Sequence, residues 1–394
     1  MRDPALRDTL HRRLLDAPFD PALLDRPELR ARLARMLREE APLLASATAD
    51  VVLDELVDDV GGLGPLEPLL ADASITEIMV NGPDRVFIER AGRLAPVECE
   101  IDAATIVRVV ERVIAPLGLR LDRASPMVDA RLADGSRLHA VLPPLAPDGP
   151  CVSIRRFGAR AVPLVAFGLD AGVAGFFDAM VRAGWNLVVS GATSSGKTTC
   201  CNALARAIDP AERIVTIEET AELRLEQPHV VRLEARPANA EGTGAVCVRD
   251  LVRSALRMRP DRIVVGEMRG GEALDVLQAC NTGHDGSLST VHANSPDDAV
   301  MRIETLALFA DVPLPLAAVH RQLMSAIDAI IQVRRDREGR RAIVAVAELG
   351  QERGAPTLRL LTRVDGRLVA CASPVRPARR SEVDLAREWL SCAS

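Results

Sequence analysis

Residues 191–198 read Gly191-Ala192-Thr193-Ser194-Ser195-Gly196-Lys197-Thr198 and follow the apolar run Leu187-Val188-Val189-Ser190. They fit the phosphate-loop pattern G-x-x-x-x-G-K-[ST], and the apolar run predicts the strand that such a loop requires. Backbone N–H groups of the loop converge on phosphate oxygens, and the following helix adds its positive dipole end. The pattern therefore predicts that Lys197 neutralises the β and γ phosphates of a nucleotide and that Thr198 directs its hydroxyl to Mg²⁺. The residues expected to contact the nucleotide are Gly191, Thr193, Ser194, Ser195, Gly196, Lys197, Thr198 and Thr199.

Lys197 is the only lysine in the chain, since every other member of the 49 basic residues is arginine. A planar guanidinium is a poor substitute for a compact ammonium in a tight loop. Lysine is absent from every other position but present at this one. The phosphate-loop assignment is therefore more specific than the match to the pattern alone.

The overall composition sets limits on the fold and on the partners. At 394 residues the chain is long for a single core, so two or three domains are expected. Seven Phe, two Trp and no Tyr leave few rings on which nucleic-acid bases could stack, and the net charge of −6 argues against nucleic acid or an anionic membrane as a partner. The eight cysteines show no metal-ligand spacing, and no apolar run approaches the ~20 residues of a transmembrane helix. We therefore expect a cytoplasmic protein without direct membrane insertion.

Apolar periodicity and turn signals divide the chain. The fold class that they predict is α/β, with a P-loop domain preceded by a small α+β domain and an N-terminal helical region. The α+β domain contains a hairpin at residues 75–89, and the P-loop domain alternates strands with helices as a parallel sheet requires. The predicted segments are 1–60 helical, 61–160 α+β, 161–184 linker, 185–350 P-loop domain and 351–394 C-terminal extension.

Polar side chains follow several predicted strands of the P-loop domain. Glu218 and Glu219 follow one strand, Glu267 follows the next strand but one, and His292 ends another. Ligands bind at the carboxyl ends of parallel strands, and nucleotide hydrolysis needs a carboxylate near the metal and a group that orients water. These residues are candidates for binding the metal and for orienting the water. The alternative is that the acids only end strands at a solvent-exposed edge of the sheet.

Four motifs occur in one order: the phosphate loop, the acidic box Ile217-Glu218-Glu219, the run Val264-Val265-Gly266-Glu267-Met268-Arg269-Gly270-Gly271-Glu272-Ala273, and the histidine box from Thr282-Gly283-His284 to Asn294. Together they resemble the type II/type IV secretion ATPase superfamily, and above all its CpaF-like branch, the motors of Tad pilus assembly. The resemblance implies a hexameric ring of subunits, each with an N-terminal domain and a RecA-like C-terminal domain that hold the nucleotide between them.

The resemblance also implies roles for single residues. Glu267 corresponds to the Walker B carboxylate, which holds Mg²⁺ directly or through water. Glu218 corresponds to the acidic-box residue that helps to polarise water, and His292 to the histidine-box sensor of the γ-phosphate. Which glutamate is the general base stays open.

Two further features come from the comparison with the family pattern. The family places arginines of the N-terminal domain against the γ-phosphate, and the candidates are Arg131, Arg137 and Arg155, for which an ordinary surface arginine is the alternative. The phosphate loop carries Ala192 and Ser194 where family members usually have glycine, which narrows the conformational freedom of the loop.

The predicted function is an ATP-hydrolysing motor that uses Mg²⁺ and powers pilus assembly or protein secretion. It would work at the cytoplasmic face of the inner membrane through platform proteins of that system. The alternatives are a conjugative DNA-transfer ATPase and a weakly catalytic nucleotide-binding scaffold.

Overall fold

The computed structural model describes residues 6, 9–10, 13–14, 26–90, 92–156, 162–169, 171–239, 241–352, 355–364, 368–370, 372–380 and 383–393. The chain divides into two compact units, Met1–Gly158 and Ala159–Ser394.

The described N-terminal part of the first unit contains the helices α1 (Arg26–Glu40) and α2 (Ser46–Gly61). Leu29, Leu33 and Leu37 are spaced by four residues, so they share one face of α1 and are buried. They pack against the apolar face of α2.

A six-stranded antiparallel sheet in the order β3-β2-β1-β6-β5-β4 completes the first unit. Helix α4 begins at the N-cap Asp102, whose side chain accepts the Thr105 N–H, and it covers the buried face of the sheet. The predicted hairpin is confirmed as β1 and β2, whereas β3 and β6 were not predicted, because β3 is an exposed edge strand and β6 alternates over only five residues. The elements are α3 (Glu67–Ala71), β1 (Ile75–Asn81), β2 (Val86–Arg90), β3 (Arg93–Val97), α4 (Ala103–Ile114), β4 (Met127–Arg131), β5 (Arg137–Val141) and β6 (Cys151–Arg155).

The second unit is built on a nine-stranded sheet in the order β15-β14-β13-β12-β7-β11-β10-β8-β9. The strands from β12 to β9 in this order are parallel, and the other three extend the sheet as antiparallel neighbours. Along β7, Leu187 and Val189 face the core with α5, α6 and α11, while Val188 faces the core with α7, α8, α9 and α10. The strands are β7 (Leu187–Gly191), β8 (Ile214–Glu218), β9 (Val230–Glu234), β10 (Arg262–Val265), β11 (Leu288–His292), β12 (Ala329–Arg335), β13 (Arg341–Glu352), β14 (Ala355–Val364) and β15 (Leu368–Ala370). The helices are α5 (Ala171–Arg182), α6 (Lys197–Ala205), α7 (Val248–Ala255), α8 (Glu272–Cys280), α9 (Pro296–Leu308), α10 (Leu316–Ala326) and α11 (Leu385–Ala393).

The structure differs from the sequence interpretation at the two ends of this unit. The segment 161–184, interpreted as a linker, carries α5 with Phe176 and Phe177 fully buried. The residues after 350, interpreted as an extension, add β14 and β15 to the sheet and place Trp389 with its ring centroid 4.7 Å from that of Phe176. The glycines of α5 weakened its helical signal in the sequence. The other predicted boundaries, at residues 60 and 160, remain predictions.

Among the described helices, none combines the length and the hydropathy needed to cross a membrane.

Candidate active site

The phosphate loop joins the end of β7 to the start of α6. A Cβ on Gly191 would lie 2.5 Å from the Val333 carbonyl oxygen, so only glycine fits there. The Oγ of Ser195 is buried and has no hydrogen-bond partner among the described residues. A buried hydroxyl without a partner is costly, and a phosphate oxygen in the loop would satisfy it. Of the other predicted contacts, Thr193 is exposed and Thr199 is half-buried in the first turn of α6.

Two residues of the loop have left-handed backbone conformations. Gly196 has φ +97°, which glycine adopts freely, but Ser194 has φ +59°, which costs about 1 kcal/mol for a residue with a side chain. Ser194 is one of the two positions where the sequence departs from the family pattern. The departure therefore leaves local backbone strain in the loop.

Lys197, His292 and Glu267 come together at the ends of three adjacent parallel strands, β7, β11 and β10. The Lys197 Nζ lies 3.2 Å from the Ala192 carbonyl oxygen and 3.2 Å from Nδ1 of His292. The Nε2 of His292 lies 2.6 Å from Oε1 of Glu267. His292 is in register with Gly191, so the parallel pairing itself brings the histidine to the loop.

Burial lowers the pKa of His292, and the positive charges of Lys197, Arg269 and Arg302 lower it further, while Glu267 acts in the opposite direction. At neutral pH the imidazole is therefore uncharged. Oε1 of Glu267 has no hydrogen-bond partner among the described residues, although Nε2 of His292 lies 2.6 Å from it. The Lys197 Nζ lies 3.2 Å from Nδ1 and 3.4 Å from Nε2 of the same ring.

Arg269 neutralises the acids around this cluster. Its guanidinium lies 2.7 Å from Glu267 Oε2 and also pairs with Glu219. Its backbone N–H donates to Oε1 of Glu272 at 2.6 Å, which fixes the turn between β10 and α8. In the sequence Arg269 stood out only as part of the run from Val264 to Ala273. Its pairing with two carboxylates was not predicted.

Glu218 is 4% exposed and its carboxylate organises the next turn of the chain. It accepts the backbone N–H groups of Glu222 and Leu223, each at 2.9 Å. Burial, which outweighs these hydrogen bonds, raises the pKa of Glu218 to about 7. Gly266 is required beside it, because a Cβ there would lie 2.7 Å from Cγ of Glu218.

The turn that Glu218 holds carries Glu222 to the phosphate loop. The Thr198 hydroxyl donates to Oε2 of Glu222 at 3.4 Å. Sequence reasoning missed Glu222, although it is a third acid after the same strand, four residues beyond Glu218. Among the described residues there is no group of three or more His, Cys, Asp or Glu able to hold a metal. Thr198 with one nearby carboxylate fits Mg²⁺, which binds through one or two protein oxygens and the phosphates of its nucleotide.

The three candidate arginines lie in the first unit, on neighbouring strands of its sheet. Arg131 pairs in register with Arg137, and Arg137 pairs with Arg155, so the three form one row across the sheet, here called the arginine row. Arg137 also contacts Asp129 at 3.0 Å. Like charges directly opposite each other destabilise a sheet. Sequence reasoning named the residues singly and did not predict that they are neighbours.

Comparison with known proteins identifies the family of the chain. A family model described as type II/IV secretion system protein matches residues 59–369. A putative conjugal transfer protein of Mycobacterium tuberculosis is 42% identical over 310 residues, 76% of this chain and 88% of that protein. The type IV secretion system protein PtlH of Bordetella pertussis is 35% identical over 331 residues, 75% of this chain and 95% of that protein. The crystal structure of the ATPase DotB of Legionella pneumophila matches in fold, with a TM-score of 0.52 and 19% identity over 73% of this chain and 80% of that chain.

The chain therefore belongs to the type II/IV secretion system protein family. It has the RecA-like P-loop fold, as the motifs predicted. The assignment to the CpaF-like branch stays a prediction.

Proposed function

We propose that the chain is a motor that hydrolyses ATP at the cluster of Lys197, His292 and Glu267 and turns the reaction into mechanical work for pilus assembly or protein secretion. The observation that carries the proposal is the unbroken contact from the phosphate-loop lysine through a neutral imidazole to a carboxylate. A triphosphate in the loop would meet all three groups at the carboxyl edge of the sheet.

The loop residues divide the work of binding. Lys197 would exchange its present contacts for the β and γ phosphates, and the Ser195 hydroxyl and the backbone N–H groups would take phosphate oxygens. Thr198 would hold Mg²⁺. Glu222 contacts Thr198 and Glu267 follows the parallel strand β10, so these carboxylates would bind the ion directly or through water. When bound, the ion would neutralise charge on the phosphates.

The acids and the histidine would prepare the attacking water. Glu267, paired with Arg269, would orient the water, and His292 would report the γ-phosphate to Glu267 because it touches both Lys197 and the carboxylate. Glu218 would act on the reaction by holding the turn that carries Glu222, and either Glu218 or Glu267 could serve as the base.

The arginine row would complete the site from the first unit. The three guanidinium groups lie on adjacent strands, and guanidinium groups form strong charge-assisted hydrogen bonds with phosphate. We infer from the family resemblance that Arg131, Arg137 or Arg155 contacts the γ-phosphate in a ring of six subunits. Hydrolysis would release that contact and so produce movement.

Whether the motor serves a pilus, a secretion system or a DNA-transfer system is a separate question. We favour a pilus or secretion system of the CpaF-like kind, with the chain held at the cytoplasmic face of the inner membrane by platform proteins. Relatives named as conjugal transfer proteins support a DNA-transfer motor as the second candidate. The net charge of −6 and the scarcity of aromatic residues weigh against direct DNA binding.

The test is ATP turnover by the purified protein with and without DNA. The motor predicts turnover that Lys197→Ala and Glu267→Gln abolish and that DNA does not stimulate. Turnover that rises with DNA would favour the conjugation motor, and turnover no greater than that of the two variants would leave only a scaffold.

A further inference from the structure

Arg341 stands at the start of β13, beside the phosphate loop. The stem of its side chain packs over Gly196, since a Cβ on that glycine would lie 2.7 Å from Cδ of Arg341. Its Nη1 lies 3.4 Å from Oγ1 of Thr199, in the first turn of α6. Neither the phosphate-loop pattern nor the four family motifs includes this residue.

The order of strands tells which end of a nucleotide Arg341 would meet. In the sheet, β11 and β10 lie on one side of β7 and carry His292 and Glu267, the groups assigned to the γ-phosphate. Strands β12 and β13 lie on the other side of β7. A phosphate chain held by the loop with its γ end toward His292 therefore has its α end toward Arg341 and Thr199.

The electrostatics favour an anion between these groups. The N terminus of α6 carries partial positive charge and attracts phosphate oxygens. Arg341 lies beside this N terminus and Arg335 pairs in register with Arg341, so both guanidinium groups stand at the same edge. Guanidinium groups form strong charge-assisted hydrogen bonds with phosphate.

The neighbouring Arg340 differs from Arg341 in its contacts. Its Nε lies 2.7 Å from Asp336 Oδ2, and its Nη2 lies 3.4 Å from Glu338. It is used within the hairpin turn and is a matched control on the same turn.

We propose that Arg341 is a nucleotide-binding residue that holds the α-phosphate end of ATP and ADP from the side of the loop opposite His292. The inference rests on the proposed function for the identity of the ligand. Because the α-phosphate is common to ATP and ADP, Arg341 would contribute to the affinity for both, and less to the chemical step.

The experiment measures ADP affinity by titration with a fluorescent ADP analogue, and KM and kcat for ATP, in the wild type, Arg341→Ala, Arg341→Lys and Arg340→Ala. Loss of one charge-assisted contact predicts that Arg341→Ala raises the Kd for ADP about tenfold and KM for ATP similarly, with a smaller effect on kcat. Arg341→Lys keeps the charge and recovers part of the affinity. Arg340→Ala stays within about twofold of the wild type.

Thermal melting without nucleotide shows whether each variant is folded. If Arg341→Ala has a lowered melting temperature, the ADP affinity of Arg341→Lys, which keeps an aliphatic stem over Gly196, tests the proposal instead. Wild-type affinity for ADP in Arg341→Ala, or an equal loss in Arg340→Ala, would overturn the proposal. A wild type that binds ADP through Arg341 but turns over no ATP would refute the motor and leave this inference standing.

Discussion

The Nε2 of His292 lies 2.6 Å from Oε1 of Glu267, while the other ring nitrogen lies 3.2 Å from the ammonium of Lys197. One neutral imidazole thus joins the end of β11 to the phosphate loop on one side and to the acid after β10 on the other. The lowered pKa of His292 keeps the ring uncharged while it does so.

Replacement of His292 tests this link. We expect His292→Ala to lower kcat by a factor of about 10² while ADP affinity changes little, because the ring acts on the carboxylate and on Lys197 rather than on the α and β phosphates. Steady-state turnover and the fluorescent ADP titration measure the two effects. His320, which lies 3.1 Å from Glu304 far from the loop in sequence, provides a control histidine. Equal kcat in the wild type and His292→Ala would contradict the assigned role.

Glu218 makes stability depend on pH. Its pKa is raised from an ordinary 4.5 to about 7 in the folded protein, so the native state binds its proton more tightly than the unfolded state. The stabilisation is complete below about pH 4.5 and is lost as pH rises through about 7, and it is of the order of 3 kcal/mol. Denaturant unfolding between pH 5 and 8 should give a flatter dependence for Glu218→Gln than for the wild type. Glu219→Gln, at an exposed acid of the same box, should keep the wild-type slope, and an unchanged slope in Glu218→Gln would count against the assignment.

Gly196 is constrained twice, by its φ of +97° and by Arg341. We expect Gly196→Ala to destabilise the protein by about 1–3 kcal/mol and to abolish nucleotide binding. Adding Arg341→Ala should not restore stability, since the backbone strain remains. Gly175, in α5, has open space around it and no such φ, so Gly175→Ala should instead stabilise by about 0.5–1 kcal/mol. Full recovery in the double variant would mean that the collision with Arg341, and not the backbone, sets the requirement.

Substitution within the arginine row should lower ATP turnover without lowering the stability of the fold. Arg137→Gln should lower ATP turnover at least about tenfold, because a transition-state arginine is worth that much or more. Its melting temperature should change by less than about 2 °C, because the pair with Asp129 that it removes is largely exposed and exposed ion pairs contribute little to stability. Arg85→Gln, at an exposed arginine 3.5 Å from Asp148 in the same unit, is the control. Wild-type turnover in Arg137→Gln would make Arg137 an ordinary surface residue and would leave Arg131 and Arg155 to be tested.

Much of the site was predictable because its residues are tied to strand ends. The loop, Glu218, Glu267 and His292 each follow an apolar run, and parallel pairing brings such ends together, as the register of His292 with Gly191 shows. The same regularity made the family and the RecA-like fold predictable from the motifs.

The parts that escaped prediction depend on side-chain reach and on weak patterns. Glu222 contacts Thr198 because the Glu218 carboxylate holds the turn that follows β8. Arg341 contacts Thr199 although the two residues are far apart in the sequence. Helix α5 was interpreted as a linker because glycines interrupt its apolar pattern, and β6, which carries Arg155, is too short to stand out.

The central claim is that ATP is cleaved at the Lys197–His292–Glu267 cluster, and single-turnover conversion of labelled ATP with enzyme in excess tests it most directly. The account predicts that the wild type converts bound ATP to ADP, whereas Glu267→Gln binds ATP but converts it at least about 10²-fold more slowly. Conversion by Glu267→Gln at the wild-type rate would contradict the claim.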